Sequence, residues 1–360
     1  MKRWLLWIFV AALVAAGTLL FLDTHPVKEW ENQGALLMER FSQTKEAARG
    51  ALDKFLAASP RKTPQKTPGR PTSPPSRGTE TASAQVWKEP ITGMRFVWIP
   101  GGCFPMGSDP GEDGRDRDEG PKHQVCVDGF WMGRSEVTRG QFRTFVEKTG
   151  YVTDAERQGY SWVYDGKWEK KPGYSWRRPG FAQTDDHPVV HVSLNDAQAM
   201  AHWLTQHSKG TFRLPTEAEW EYACRAGTLG ARFWGEDPAA ACDFANVADK
   251  TARKKFPAWR IHPCSDGFVF TAPVATFRPN GFGLYDMLGN VWEWCADVYD
   301  PQAYRNHSEK NPVVEKGGTA RVVRGGSWYS QPQYVRSAGR DQLSRPDRRS
   351  QDQGFRLIRR

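Results

Sequence analysis

Apolar side chains follow four successive patterns along the chain. Behind Lys2-Arg3 they run almost unbroken from Trp4 to Leu22, close to the roughly 20 residues with which a helix crosses a bilayer core. Residues 1–22 are therefore predicted as a signal anchor and transmembrane helix, which places the rest of the chain across the membrane. Val14-Ala15-Ala16 offers small residues for signal cleavage as the alternative. Over residues 23–57, Trp30, Leu37, Phe41, Ala48, Leu52 and Phe55 recur at helical spacing and predict an amphipathic membrane-proximal helix. Residues 58–85 carry prolines among Ser, Thr, Lys and Arg with hardly an apolar side chain, so they cannot bury a core and read as a disordered tether.

From residue 86 to 360 the pattern changes to short strands, few helices and many turns, and one domain is predicted. Met94–Ile99 and Val125–Met132 read as strands from their β-branched and aromatic content, on either side of the acidic, glycine-rich loop Gly107–Gly120. Helices are predicted to start at Thr138, at Ser193 and at Thr216, the last on the capping box Thr216-Glu-Ala-Glu219. No βαβ alternation occurs, so the pattern argues for an α+β fold over a parallel doubly wound sheet.

Charge and cysteine content narrow the function classes. The net charge of +9 is uneven: residues 1–85 hold 12 Lys/Arg against 7 Asp/Glu, so the predicted domain is only weakly basic and no nucleic-acid partner is indicated. Six cysteines beyond a membrane read as disulfides. Cys103 with Cys126 spans two adjacent strands and Cys242 with Cys264 flanks one loop, which leaves Cys224 with Cys295 out of 15 possible connectivities. His187 and His191, if on one strand, lie about 13 Å apart and cannot share an ion.

A set of motifs in fixed order carries a resemblance. It runs from Gly101-Gly102 and Met106-Gly107-Ser108 through Glu136-Val137-Thr138, His187-Pro188-Val189-Val190 and Arg213-Leu214-Pro215-Thr216-Glu217-Ala218-Glu219-Trp220-Glu221. It ends with Asn280–Trp294, Arg324-Gly325-Gly326-Ser327-Trp328 and Gly354-Phe355-Arg356. Together these resemble the formylglycine-generating enzyme (sulfatase-modifying factor) family over about residues 92–358. The resemblance implies a fold similar to C-type lectins, low in regular secondary structure. It also implies two calcium sites, one from Asn246, Val247, Asp266 and Phe268, the other from Gly289, Asn290, Val291 and Glu293. Oxygen donors suit that hard ion, whereas Asn246 and Asn290 bonding only within turns, and Glu293 serving an arginine, is the alternative.

Active members of the family use a cysteine pair after Arg-Gly-Gly-Ser to bind copper through thiolates. In this chain the matching positions are Ser330 and about Val335, and no cysteine follows Cys295. No catalytic residue, no copper and no formylglycine formation are expected. Trp294, Ser327, Trp328 and Ser330 match groove-lining positions. Two classes remain open. One is a periplasmic, inner-membrane-tethered binding or regulatory module for a peptide or protein ligand, such as a signalling partner. The other is an oxidoreductase without the cysteine pair, of which the family includes a pyoverdine-maturation enzyme. A catalytic site should gather perturbed polar groups near Ser327 and Ser330, and a binding module should show a broader aromatic groove. Asp286, Glu293, Arg324, Arg336 and Arg340 are near enough in sequence to charge either one.

Overall fold

The strands bury most of the apolar positions that predicted them. In Arg95–Ile99, Phe96, Val97 and Ile99 face the interior while Arg95 and Trp98 stay outside. The computed structural model describes residues 85–341 and 345–360; the predicted anchor, membrane-proximal helix and tether lie outside the described residues. Among these, no helix is long and apolar enough to cross a membrane.

In chain order the strands are β1 Val86–Lys88, β2 Arg95–Ile99, β3 Gly102–Met106, β4 His123–Val127, β5 Phe130–Gly133, β6 Tyr160–Tyr164, β7 Trp168–Pro172, β8 Phe212–Arg213, β9 Trp292–Val298, β10 Arg321–Arg324, β11 Arg340–Asp341, β12 Gln353–Gly354 and β13 Ile358–Arg359. The α-helices are α1 Arg139–Thr149, α2 Asp154–Gln158, α3 Leu194–His207, α4 Glu217–Arg225, α5 Lys250–Arg253 and α6 Ala303–Asn306. One sheet runs β1-β2-β5-β13-β8, a second β11-β10-β9-β12, and the pairs β3-β4 and β6-β7 are separate hairpins. The C-terminal strand β13 lies between β5 and β8, antiparallel to both. This mixture of short strands and helices is the α+β fold expected.

The three predicted helix starts are caps in the structure. Thr138, Ser193 and Thr216 each accept a hydrogen bond from the third residue of their helix, and that residue's side chain bonds back to the cap. Such a cap stabilises a helix by about 1 kcal/mol. Helices α1 and α3 bury Phe142, Phe145, Met200, Trp203 and Leu204 in one apolar cluster. Helix α4 sends Trp220, Ala223 and Cys224 into the other, with Met287, Leu288 and Val335.

Two expectations are corrected. Val125–Met132 is not one strand: it breaks at Asp128-Gly129 into β4 and β5, which belong to different sheets. The break is enforced at Gly129, where a Cβ would stand 2.6 Å from the Trp98 ring. The second concerns the cysteines. Cys103–Cys126 joins directly opposed residues of the β3-β4 hairpin, and Cys242–Cys264 also forms. Cys224 and Cys295 are not bonded to each other but are separate buried thiols. Cys224, on α4, lies beside the Ser337 hydroxyl, 3.6 Å away; Cys295 sits in β9, and burial pushes both thiols up, Cys224 to about 12.

Candidate functional site

Strand β10 delivers the Arg-Gly-Gly-Ser motif into a turn that only glycine can make. Gly325 has φ 102°, and a Cβ there would stand 3.0 Å from the Met287 carbonyl and 3.1 Å from the Trp220 ring. A Cβ on Gly326 would stand 3.3 Å from both the Ser330 Cβ and a Val335 methyl. The two positions matched to the family's cysteine pair are thus brought together, but as a hydroxyl and a hydrocarbon. Ser330 is spent within the turn, its Oγ accepting from the Ser327 N–H at 2.9 Å. Val335 is completely buried. Beside them, Asp352 meets Ser327 Oγ at 3.3 Å and accepts from Ser350 Oγ at 2.5 Å, and burial raises its pKa.

The predicted groove residues lie deeper than expected. Trp294, Ser327 and Trp328 are fully buried and Ser330 is 3% exposed. Trp294 occupies an inward position of β9, with its indole N–H on the Val192 carbonyl at 3.2 Å. What reaches the surface next to the motif is a shelf of half-buried rings from distant segments. Tyr329 packs on Tyr164 of β6 at 4.6 Å, on Trp168 of β7 at 5.6 Å and on Trp259 at 4.8 Å between ring centres. Trp259 stacks on Phe256 at 4.2 Å, and Phe270 joins Phe181 at 4.5 Å to Trp328 at 5.0 Å. The Arg348 guanidinium stands over Trp162 and Trp168, at 5.7 and 5.8 Å. Sequence reading missed the shelf because its rings come from β6, β7, the 256–270 loop and the motif, which no local spacing links. Arg324, Arg336 and Arg340 do not charge it, being buried in ion pairs with Glu217, Glu221, Glu112 and Glu119. His187 and His191 serve the backbone: His187 Nδ1 accepts from the Thr184 N–H, and His191 Nε2 donates to the Pro179 carbonyl.

The first set of predicted calcium ligands converges. Asp266 accepts from the Val247 and Phe268 N–H groups at 2.9 and 2.8 Å, and its own N–H donates to Asp249 at 2.6 Å. Burial pushes Asp266 up to about 7, and the buried Asn246 Oδ1 has no hydrogen-bond partner. Carboxylate oxygens of Asp249 and Asp266 lie within 4.8 Å of each other, and oxygen donors of this kind suit a hard divalent cation. Asp249, the cap of α5, was missed; its place three residues after Asn246 was the available signal.

The second set fits less simply. Asn290 Oδ1 accepts from Ala272 N at 2.9 Å and from Asn246 Nδ2 at 3.1 Å, and its Nδ2 donates to Glu136 at 3.1 Å. Glu293 is held by both sides of Arg356, at 2.6 Å each, and by the Trp220 indole at 2.9 Å. The side chains named from sequence are therefore satisfied by protein. The unsatisfied oxygens belong to Glu136 and Asp286, each buried with one oxygen unpartnered. Burial, then the neighbouring Asp286, raises Glu136 well above its usual range, and burial raises Asp286 to about 6. Gly289 and Val291 contribute backbone around this cluster, and a Cβ on Gly289 would stand 2.4 Å from the Asn246 carbonyl, so the two sets are packed against each other.

Comparison with known proteins places this architecture. The family described as the sulfatase-modifying factor enzyme 1-like domain matches residues 82–360. The formylglycine-generating enzyme of Streptomyces coelicolor is 39% identical over 287 residues, covering 72% of this chain and 87% of that protein. The inactive C-alpha-formylglycine-generating enzyme 2 of Mus musculus is 37% identical over 257 residues, covering 65% of this chain and 74% of its own length. The solved structure of PvdO from Pseudomonas aeruginosa has a TM-score of 0.64 at 31% identity, covering 77% of this chain and 98% of that one.

Proposed function

Because the chain belongs to the sulfatase-modifying-factor family, we propose that it is a calcium-stabilised binding or regulatory member, tethered to the bacterial inner membrane with its domain in the periplasm, that does not generate formylglycine. One observation carries this reading: over Gly326 the thiol positions are filled by Ser330 and Val335, while the accessible surface beside them is aromatic. A hydroxyl committed to a turn and a buried isopropyl group supply no thiolate for copper. The remaining free thiols, Cys224 and Cys295, are buried and held protonated by that burial.

The domain's own residues account for binding. Tyr164, Trp168, Trp259 and Tyr329 offer flat apolar faces at small entropic cost, and Arg348 adds a cation for an acidic or carbonyl-rich segment. A peptide or protein ligand, such as a periplasmic signalling partner, suits such a shelf. Calcium, held by Asn246, Asp249 and Asp266, would supply charge compensation and stiffness. The alternative is an oxidoreductase lacking the cysteine pair; the Ser327-Asp352-Ser350 cluster with its raised carboxyl is the observation that favours it.

The test takes the full chain, purified without chelator, and measures metal by elemental mass spectrometry alongside aldehyde formation on a cysteine-containing sulfatase peptide supplied with copper and oxygen. About two calcium ions per chain, no stoichiometric copper or iron and no aldehyde are expected. Aldehyde formation, or stoichiometric copper or iron, would sink the reading.

A further inference from the structure

Helix α5 and the turn that follows it are strongly cationic. From Lys250 to Arg260 the sequence holds Lys250, Arg253, Lys254, Lys255 and Arg260 and no Asp or Glu. All five are exposed, and none forms an ion pair among the described residues. The neighbouring β6-β7 hairpin is different, since Lys167 meets Glu169 at 2.7 Å and Lys171 meets Asp165 at 3.0 Å.

The same turn adds rings to these charges. Trp259 continues the aromatic shelf through Tyr329 at 4.8 Å to Trp168 at 5.6 Å, and Pro257 and Ala258 beside it are exposed. Cations stand over the rings along this band: Lys255 over Phe270 at 5.2 Å, Arg348 over Trp168 at 5.8 Å and Lys170 over Tyr160 at 4.8 Å. Half-buried Trp and Tyr rings edged by exposed Lys and Arg suit the headgroup level of an anionic bilayer, where the rings meet the upper acyl carbons and the cations meet phosphates. An acidic protein would satisfy the same charges, and the rest of the chain decides between the two. Residues 58–85 repeat the bias, with Arg61, Lys62, Lys66, Arg70 and Arg77 against Glu80, and they lie between this domain and the apolar run Trp4–Leu22. The bilayer that takes that run is held at high local concentration beside the domain.

We propose that the 250–260 segment docks the domain on the anionic phospholipid surface of the membrane that anchors it, with Trp259 as the ring at the interface. The inference rests on the membrane attachment in the reading above and not on peptide binding. In the test, the full chain is reconstituted into vesicles of phosphatidylcholine alone or mixed with phosphatidylglycerol, and hydrogen exchange of the 250–260 amides is followed. Exchange slower by about tenfold on the anionic vesicles is expected, with the difference lost at high salt. The double variant Lys254→Glu, Lys255→Glu should exchange as on neutral vesicles, while Lys148→Glu, at an exposed position of α1, should leave the difference intact. Equal exchange on both vesicles, protection that survives the double variant, or equal protection on neutral vesicles by polyglutamate or glycerol phosphate would overturn the proposal. Retention on neutral vesicles through an alkaline wash reports the anchor separately. A retained chain with equal exchange sinks the lipid contact and leaves the anchor; a chain washed off neutral vesicles yet protected by anionic ones sinks the anchor and keeps the contact.

Discussion

Two buried charge clusters of this domain stand in contrast. Around β10 and α4, acids and arginines are matched: Arg340 meets both oxygens of Glu217 at 2.7 and 3.0 Å, Arg225 and Arg324 share Glu221, and Arg336 grips Glu119. Burial alone would raise Glu221, but Arg225 and Arg324 outweigh it and hold its carboxyl below the ordinary range. In the loops 246–268 and 286–293 the balance fails: Asp249 and Asp266 face each other without an arginine, and Glu136 and Asp286 share Arg356 with Glu293. In the first cluster Glu119, Glu217 and Glu221 each meet an arginine. The second gathers more acids than arginines, which is the physical argument behind the calcium proposed above.

The sharpest way to break the contrast is to unpair the matched cluster. Arg324→Met leaves Glu221 with Arg225 as its one arginine in a site from which water is excluded, and a loss of about 3 kcal/mol is expected in urea denaturation; a loss below about 1 kcal/mol would show that the cluster is not the rigid partner in this comparison. Removing calcium comes next. At a hundredfold excess over its dissociation constant the ion should contribute about 2.7 kcal/mol, so a chelator should lower the melting temperature of the full chain. Asp266→Asn should blunt that response, and a melting temperature indifferent to both chelator and added calcium would remove the distinction.

A smaller effect tests the matched cluster from inside. Asp297 accepts only main-chain N–H bonds, from Glu217 at 2.7 Å and Val314 at 2.9 Å, and burial, then the charge of Glu217, pushes it up to about 7. The folded state therefore holds a proton that the unfolded chain releases near pH 4, so stability falls as pH rises between about 4 and 7, by up to about 1.4 kcal/mol per unit. Asp297→Asn should flatten that slope in denaturation measured across the range; an unchanged slope would assign the pH dependence elsewhere. The smallest effect is expected for Ser330→Ala, which leaves the Ser327 N–H unmet at a cost of about 1 kcal/mol, read by the same urea titration. A much larger loss would mean that the turn relies on this hydroxyl more than on its glycines.

The same contrast explains what the sequence disclosed. Local grammar was legible: the caps at Thr138, Ser193 and Thr216 and the disulfides Cys103–Cys126 and Cys242–Cys264 rest on short spacings, and all are present. Asn246 and Asp266 were named through the motif they sit in, and the structure sets Asp266 against Val247 and Asp249. Glu136 was not assigned to the second cradle because it reaches Asn290 across 154 positions of chain. The aromatic shelf was hidden for the same reason. Trp294 was placed in a groove because it matches a groove-lining position of the family, although β9 is buried on both faces at residues 293–295 and its ring lies inside.

One feature of the first sheet bears on how the protein is made. The last strand, β13, is not an edge but the seam between β5 and β8. Phe130–Gly133 and Phe212–Arg213 cannot join into one sheet until Ile358–Arg359 has been made, far along the chain from both. Closure of this sheet thus follows the synthesis of β13, and a product lacking that strand carries two unfilled strand edges, the kind of surface by which chains aggregate and proteases discard them.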